Sequence, residues 1–367
     1  MNPQHQHELK TGLLRGLVWV VLAFVLLLVL NFANSAVAAK PVDRSNMLFP
    51  YYEVAEVLNS VATHHHAKDT AALTDQLEAL SVATAQYCKT DGKTQPANMQ
   101  QLQAQYAKAY LAWLELSSVV MGPMLDNNTV RQIDFRPLRL NLLERAIKKQ
   151  PQGAQAMAMI GSPAKGFPAL EYLFTQNNFK SGTPQCNYAH EVVLDIERTV
   201  AGLKWDDAQA LGAGMQLYFN QLVGATHNLA WERMEKPLLK NKDEAGANVT
   251  PAGHWPFSEF QLTEKAWAAQ WQGIEHLLMV TGQTVPQADT QVIPLEAYLR
   301  GLGKIELADT LVKYSIAVDV AMRSNDITKP ASVQQSVKAL KVLKGFLESE
   351  VAKGLKVSIQ FSSSDGD

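Results

Sequence analysis

Apolar residues recur at helical spacing along most of the chain. Leu48, Tyr52, Ala55, Val57 and Val61, then Leu73, Leu77, Leu80, Ala83 and Tyr87, mark helical sequence over residues 47–88. Residues three and four apart share a helix face, so each series makes an apolar stripe that must be buried. The stripe weakens at Lys68-Asp69, where Asp69 is the expected N-cap of a second helix. Leu102, Tyr106, Ala109, Tyr110, Trp113, Leu116 and Val120 predict a helix over 98–121, ended by Gly122-Pro123. A loop over 125–137 and a helix through Ile147 follow. Ile160-Gly161-Ser162-Pro163 then interrupts the chain, and Phe167, Ala169, Leu170, Leu173 and Phe174 place another helix directly after it. Further helices are predicted over 184–203, over 206–235 with a stop at Pro237, and over 258–281, 295–323 and 332–353. No stretch alternates with period two for long enough to form a sheet, so the fold class is all-α.

One acidic position breaks this pattern. In Lys165-Gly-Phe-Pro-Ala-Leu-Glu-Tyr-Leu-Phe174, Gly166 supplies backbone freedom and Pro168 suits the first turn of a helix. Glu171 rides on that otherwise apolar helix. A carboxylate carried into a core needs a cation, a metal or several donors, because alone it costs several kcal/mol or takes up a proton.

The N-terminus reads as a targeting segment. Lys10 and Arg15 precede an apolar run from Leu17 to Leu30, which at about 14 residues is short for a bilayer span of about 20. Ala36-Val37-Ala38 is a small-x-small cleavage pattern, so residues 1–38 are expected to be a signal peptide, with an uncleaved anchor as the alternative. That anchor would be the chain's one membrane contact. No cysteine follows the run, which excludes a lipoprotein anchor. The expected location is the periplasm or cell envelope. Without residues 1–38 the formal charge moves from −2 to about −3, and no basic stripe with interleaved aromatics offers a nucleic-acid footprint. Cys88 and Cys186, the two cysteines of the chain, would be bridged in an oxidising compartment; two free buried thiols are the alternative.

The composition shifts to Lys, Asp, Asn, Gly and Pro between residues 240 and 257, which sets an expected boundary between an N-terminal bundle over 39–240 and a C-terminal bundle over 241–367. A short internal echo lays Ala169-Leu-Glu-Tyr-Leu-Phe174 against Gly273-Ile-Glu-His-Leu-Leu278, with Glu171 over Glu275. Chance matching of Leu-rich helices is the alternative reading.

Among the histidines, His64-His65-His66 reads as a solvated helix face or helix end, with a metal site as the alternative; successive helical residues point about 100° apart, so at most two could address one ion. His227 reads as a core histidine, His254 lies in the polar loop, and His276 next to Glu275 is no chelate. HExxH, Cys/His clusters, GxSxG and glycine-rich phosphate loops are all absent. The polar set able to line a cleft between bundles is Arg131, Asp134, Arg136, Glu171, Glu232, Lys236, Glu259 and His276. An ion-pair network that docks the bundles is the alternative use of the same residues.

The segment at 165–174, the closing Phe361-Ser-Ser-Ser-Asp-Gly-Asp367, the contexts Tyr87-Cys88 and Cys186-Asn-Tyr188, and Asp134-Phe-Arg-Pro137 resemble segments of the imelysin family. The resemblance implies two antiparallel helical bundles with a site in the cleft between them, a Cys88–Cys186 bridge, and a link to iron uptake. It also implies a metal motif GxHxxE, once tied to metallopeptidase activity. Gly166 and Glu171 fill that motif, but Pro168 stands where it has histidine, which removes its best ligand and argues against catalysis. The site expected from the polar set and the motif segment together comprises Gly166, Pro168, Glu171, Asp134, Arg136, Glu232 and His276, with Glu171 as the metal-ligand candidate. The expected function is an exported, non-catalytic binding protein for iron, another divalent metal, a small ligand or an envelope protein partner. A metallopeptidase and a structural envelope protein are the alternatives.

Overall fold

A computed structural model describes residue 44 and residues 47–89, 95–205, 214–240 and 255–359. The signal segment, His254, the centre of the polar loop and the closing Asp-Gly-Asp lie outside the described residues. Residues 1–47 and residues 48–367 separate as two units.

In the second unit, all regular structure among the described residues is helical. Helix α1 covers residues 54–89, with the π-helical stretch Val61–His66 between Val54–Ser60 and Ala67–Lys89. Helix α2 is Gln95–Leu116. Four short helices come next: α3 (Gly122–Asp126), α4 (Thr129–Ile133), α5 (Leu140–Lys149) and α6 (Gly153–Ala158). Helix α7 is Gly166–Thr175 and α8 is Pro184–Ala201. Helix α9 covers residues 215–240, π-helical over Leu229–Glu235. Then come α10 (Thr263–Leu278), α11 (Leu295–Gly301) and α12 (Ile305–Arg323). Helix α13 covers residues 330–355, π-helical over Leu347–Val351.

Helix α1 packs on α2 and α8, and α7 lies against both α2 and α8; α13 packs on α9 and α12, and α10 packs on α12. The crossing of α2 and α10 links these groups. It depends on Gly273, where a Cβ would lie 2.4 Å from the Glu115 carbonyl oxygen and 2.3 Å from Ser118 Oγ. Only glycine lets α10 approach that closely. A disulfide joins Cys88 and Cys186, fastening the end of α1 to the first turn of α8.

Several sequence expectations are corrected. Asp69 does not cap a new helix but sits inside α1. The π-helical stretch just before it shifts the phase of the apolar stripe without ending the helix, which is what the weakened pattern at residue 68 reflects. The loop expected over 125–137 contains α4, and the helix expected over 295–323 divides at Gly303, whose φ is +72°. Pro237 does not stop α9. It follows a π-helical stretch, and Trp267 Nε1 donates to the Arg233 carbonyl, four residues before it, at 3.0 Å. The histidine run is not a solvated face: His65 and His66 are buried. His66 stacks on Trp205 with ring centroids 4.6 Å apart, and burial pushes it down to a pKa of about 3.

Candidate functional site

Helix α7 is fixed at both ends. Its first residue, Gly166, has φ +77°, and a Cβ there would fall 2.1 Å from the Ile133 carbonyl oxygen. The start of α7 therefore abuts the end of α4, which brings Asp134 beside Glu171. The Tyr188 hydroxyl donates to the Ala164 carbonyl at 2.7 Å, and Lys165 Nζ reaches Asp195 at 2.8 Å, pinning the turn before the helix to α8. Gln103 Nε2 donates to the Phe174 carbonyl at 2.8 Å, satisfying an acceptor in the last turn. Pro168 occupies the third position of α7, where an amide has no partner within the helix.

Glu171 projects from α7 into a cluster around Arg136. Arg136 Nη2 lies 2.9 Å from Glu171 Oε2 and 2.9 Å from the Tyr110 hydroxyl, and its Nε donates to Asp134 Oδ1 at 3.0 Å. The Tyr110 hydroxyl donates to Asp134 Oδ2 at 3.0 Å, closing the ring of contacts. Phe257 lies 5.0 Å from the Arg136 guanidinium carbon and 5.5 Å from that of Arg233, within range of cation–π attraction. Burial pushes the Glu171 carboxyl above its ordinary pKa, Arg136 pulls it back, and Asp134 and Glu259 push it up again. Burial likewise drives Tyr110 well above the normal phenol value, so it stays a neutral donor. Glu171 and Asp134 are buried at 8% and 9% exposure, while 30% of the Arg136 side chain faces outward.

Of the residues singled out in the sequence, Gly166, Pro168, Glu171, Asp134 and Arg136 meet here, with Glu259 close enough to act on Glu171. Arg131 instead stacks on Phe135, 5.4 Å away. Glu232 and Lys236 pair with each other on an exposed helix face at 2.9 Å. His276 sits in a different place, beside Glu115. Sequence reasoning missed Tyr110, Arg233 and Phe257. Tyr110 was read as one more residue of an apolar stripe, and nothing local to Phe257 marks it.

His276 helps line a second cleft of about 700 Å³, formed by α1, the end of α2, α10 and the segment 279–294. His64, His65, Lys68, Asp69, Glu115 and Gln272 also line it. Here His65 Nδ1 is 3.4 Å from Asp69 Oδ2, and His276 Nδ1 is 3.9 Å from Glu115 Oε1. Among the described residues no group of three His, Cys, Asp or Glu side chains is set to hold a metal ion.

The family model described as Peptidase_M75, Imelysin, matches residues 61–302. The chain belongs to the imelysin family. The crystal structure of an imelysin-like protein from Psychrobacter arcticum 273-4 superposes with a TM-score of 0.68 at 17% identity, covering 86% of this chain and all of that one. That of a "putative iron-regulated protein A precursor" from Parabacteroides distasonis ATCC 8503 superposes with a TM-score of 0.63 at 12% identity, covering 85% and 95%. No curated protein matches the sequence. At such identities the two structures establish the imelysin fold. Within it, the motif glutamate of this chain is bound by an arginine.

Proposed function

We propose that this imelysin is an exported, non-catalytic binding protein of the cell envelope that serves the acquisition of iron or another metal. The observation that carries the non-catalytic part is the Arg136–Glu171 contact. A metallopeptidase needs a ligand set with an open position and a base for the attacking water. Here the motif carboxylate is instead neutralised by a guanidinium, with Pro168 in the place of the motif histidine. The outward part of the Arg136 side chain supplies a positive charge for a ligand or protein partner. The iron connection is supported by family membership and by the name of the Parabacteroides protein. Export is supported by the apolar run and Ala36-Val37-Ala38.

The test is cell fractionation with N-terminal sequencing, joined to radioactive iron uptake by a strain lacking the protein. A chain recovered from the envelope fraction with residue 39 or 40 first, and reduced iron uptake restored by complementation, are expected. A cytosolic chain with residues 1–38 attached and unchanged uptake would overturn the proposal. Cleavage of a peptide library that disappears in Glu171→Gln would instead support the peptidase.

A further inference from the structure

The second cleft holds two imidazole–carboxylate pairs that the Arg136 cluster does not use. His65 and Asp69 lie one turn apart on α1, where the π-helical stretch turns His65 inward. Glu115 and His276 are brought together from α2 and α10 by the close crossing at Gly273. The His65 and His276 ring centroids are 6.3 Å apart, and the rings are nearly perpendicular.

Three observations converge. First, each imidazole has a carboxylate oxygen 3.4 or 3.9 Å from its Nδ1, too long for a hydrogen bond but near enough for the carboxylate to close on Nδ1 when Nε2 binds a metal; the Asp69 oxygen concerned has no other partner. Second, the His65 side chain is 2% exposed, lines the cleft, and its Nε2 has no hydrogen-bond partner. A buried ring nitrogen without a partner is costly, and a ligand in the cleft removes that cost. Third, the spacing selects a geometry. A metal–nitrogen bond of about 2.0–2.1 Å plus about 1.1 Å to the ring centre puts two rings on one ion about 5 Å apart at a tetrahedral angle and roughly 6.4 Å apart when the two nitrogens lie opposite each other, so the 6.3 Å separation fits ligation from opposite sides of the ion.

We propose that this cleft binds one divalent transition-metal ion through His65 and His276, with Asp69 and Glu115 as the carboxylates that orient them. Two imidazoles with carboxylates and no thiolate suit Zn²⁺, Cu²⁺, Ni²⁺ or Fe²⁺ over Ca²⁺ or Mg²⁺. Only two protein nitrogens are committed, so the remaining positions stay open to water, to His64 or Gln272 at the rim, or to groups that arrive with the metal. Such a site suits capture and release better than structural retention. The proposal deepens the metal-handling reading above but uses none of the Arg136 cluster.

The experiment is calorimetric titration of the full chain, untagged and stripped of metal, with Zn²⁺, Cu²⁺ and Ca²⁺ separately, joined to electron paramagnetic resonance of the Cu²⁺ complex. The wild type and Glu171→Gln are both expected to bind one equivalent of Zn²⁺ or Cu²⁺, with two nitrogens coupled to Cu²⁺ and no response to Ca²⁺. His276→Gln should weaken binding at least 10-fold and remove one nitrogen, and Glu115→Gln should weaken it by roughly 10-fold. His276 is partly exposed, so its variant keeps the fold, which circular dichroism would verify. Absence of binding in the wild type, or undiminished binding in His276→Gln, would overturn the site. Loss of binding in Glu171→Gln alone would move the metal to the motif helix. Iron uptake that depends on the protein while the purified chain binds no metal would reject this site and leave the envelope function standing.

Discussion

Arg136 Nη2 lies 2.9 Å from Glu171 Oε2, and this contact joins the short segment after α4 to the middle of α7. The same guanidinium holds Asp134 through its Nε at 3.0 Å, so one cation serves two buried carboxylates. Removing one partner of a buried ion pair costs more than the pair contributes, because the charge left behind has no compensation. Arg136→Met leaves two facing carboxylates and is expected to cost about 3–5 kcal/mol. Glu171→Gln keeps an acceptor for Arg136 and should cost less than half as much. Urea unfolding of the two variants checks this order, and an Arg136→Met cost below that of Glu171→Gln would contradict it.

His66 lies fully buried against Trp205, and neither ring nitrogen has a hydrogen-bond partner. Its folded pKa of about 3 lies below the ordinary 6.5, so the unfolded chain takes up the proton first. Its contribution is therefore complete above about pH 6.5 and lost as pH falls toward 3, at up to about 1.4 kcal/mol per pH unit. Asp69 works in the opposite sense: raised to about 7, it contributes most below pH 3.8 and loses that contribution as pH rises to 7. Wild type alone thus mixes two slopes. The difference between wild type and His66→Phe isolates one, and it should shift in favour of the variant as pH is lowered from 6.5 to 4.5. Chemical unfolding at three pH values across that window measures it; parallel curves would show that His66 takes up its proton at the same pH in the folded and the unfolded chain.

The all-helical class and the special place of Glu171 were legible in the sequence because both follow from local pattern. Apolar spacing gives helices, and an acid on an apolar helix needs a partner. Which partner it meets depends on Gly166 packing against Ile133, a contact between segments that share no periodicity. The buried histidines were misread for a related reason. A π-helical stretch adds a residue to the turn and rotates everything after it, and no composition rule marks where that happens. Pro237 was read as a stop because the Trp267 Nε1 bond to the Arg233 carbonyl just before it comes from a residue 34 positions beyond Arg233. Glu232 and Lys236 were counted among the polar residues able to line a cleft, but helical spacing of four lets them satisfy each other at the surface.

The bridge between Cys88 and Cys186 spans 98 residues and encloses α2 through α7. Closing so long a loop stabilises chiefly by restricting the unfolded chain, with a loss on removal of about 2–5 kcal/mol. The double variant Cys88→Ser/Cys186→Ser should therefore unfold at markedly lower urea concentration while retaining its helical circular dichroism. Tyr87 stacks on Phe179 at 5.4 Å and donates from its hydroxyl to the Phe179 carbonyl at 2.9 Å, which keeps this corner packed without the bond. An unchanged midpoint would mean that the bridge does not restrict the unfolded chain.

Two helical glycines separate the effect of propensity from that of packing. Gly224 in α9 has no atom within 4 Å of where a Cβ would lie, so Gly224→Ala removes backbone freedom from the unfolded chain and fills open space. It should stabilise by about 0.4–1 kcal/mol. The same substitution at Gly273 would put its methyl carbon 2.4 Å from the Glu115 carbonyl oxygen, and backbone cannot move aside as a flexible side chain can. Gly273→Ala should therefore destabilise by about 1–3 kcal/mol or more, as overpacking does. It should also push α10 away from α2 and part His276 from Glu115, so Zn²⁺ affinity should fall although no ligand is altered. Gly224→Ala should leave that affinity unchanged. Thermal unfolding with and without Zn²⁺ reads both effects. If Gly273→Ala lost stability but kept full affinity, the helix crossing would matter for the fold alone and the metal site would not depend on it.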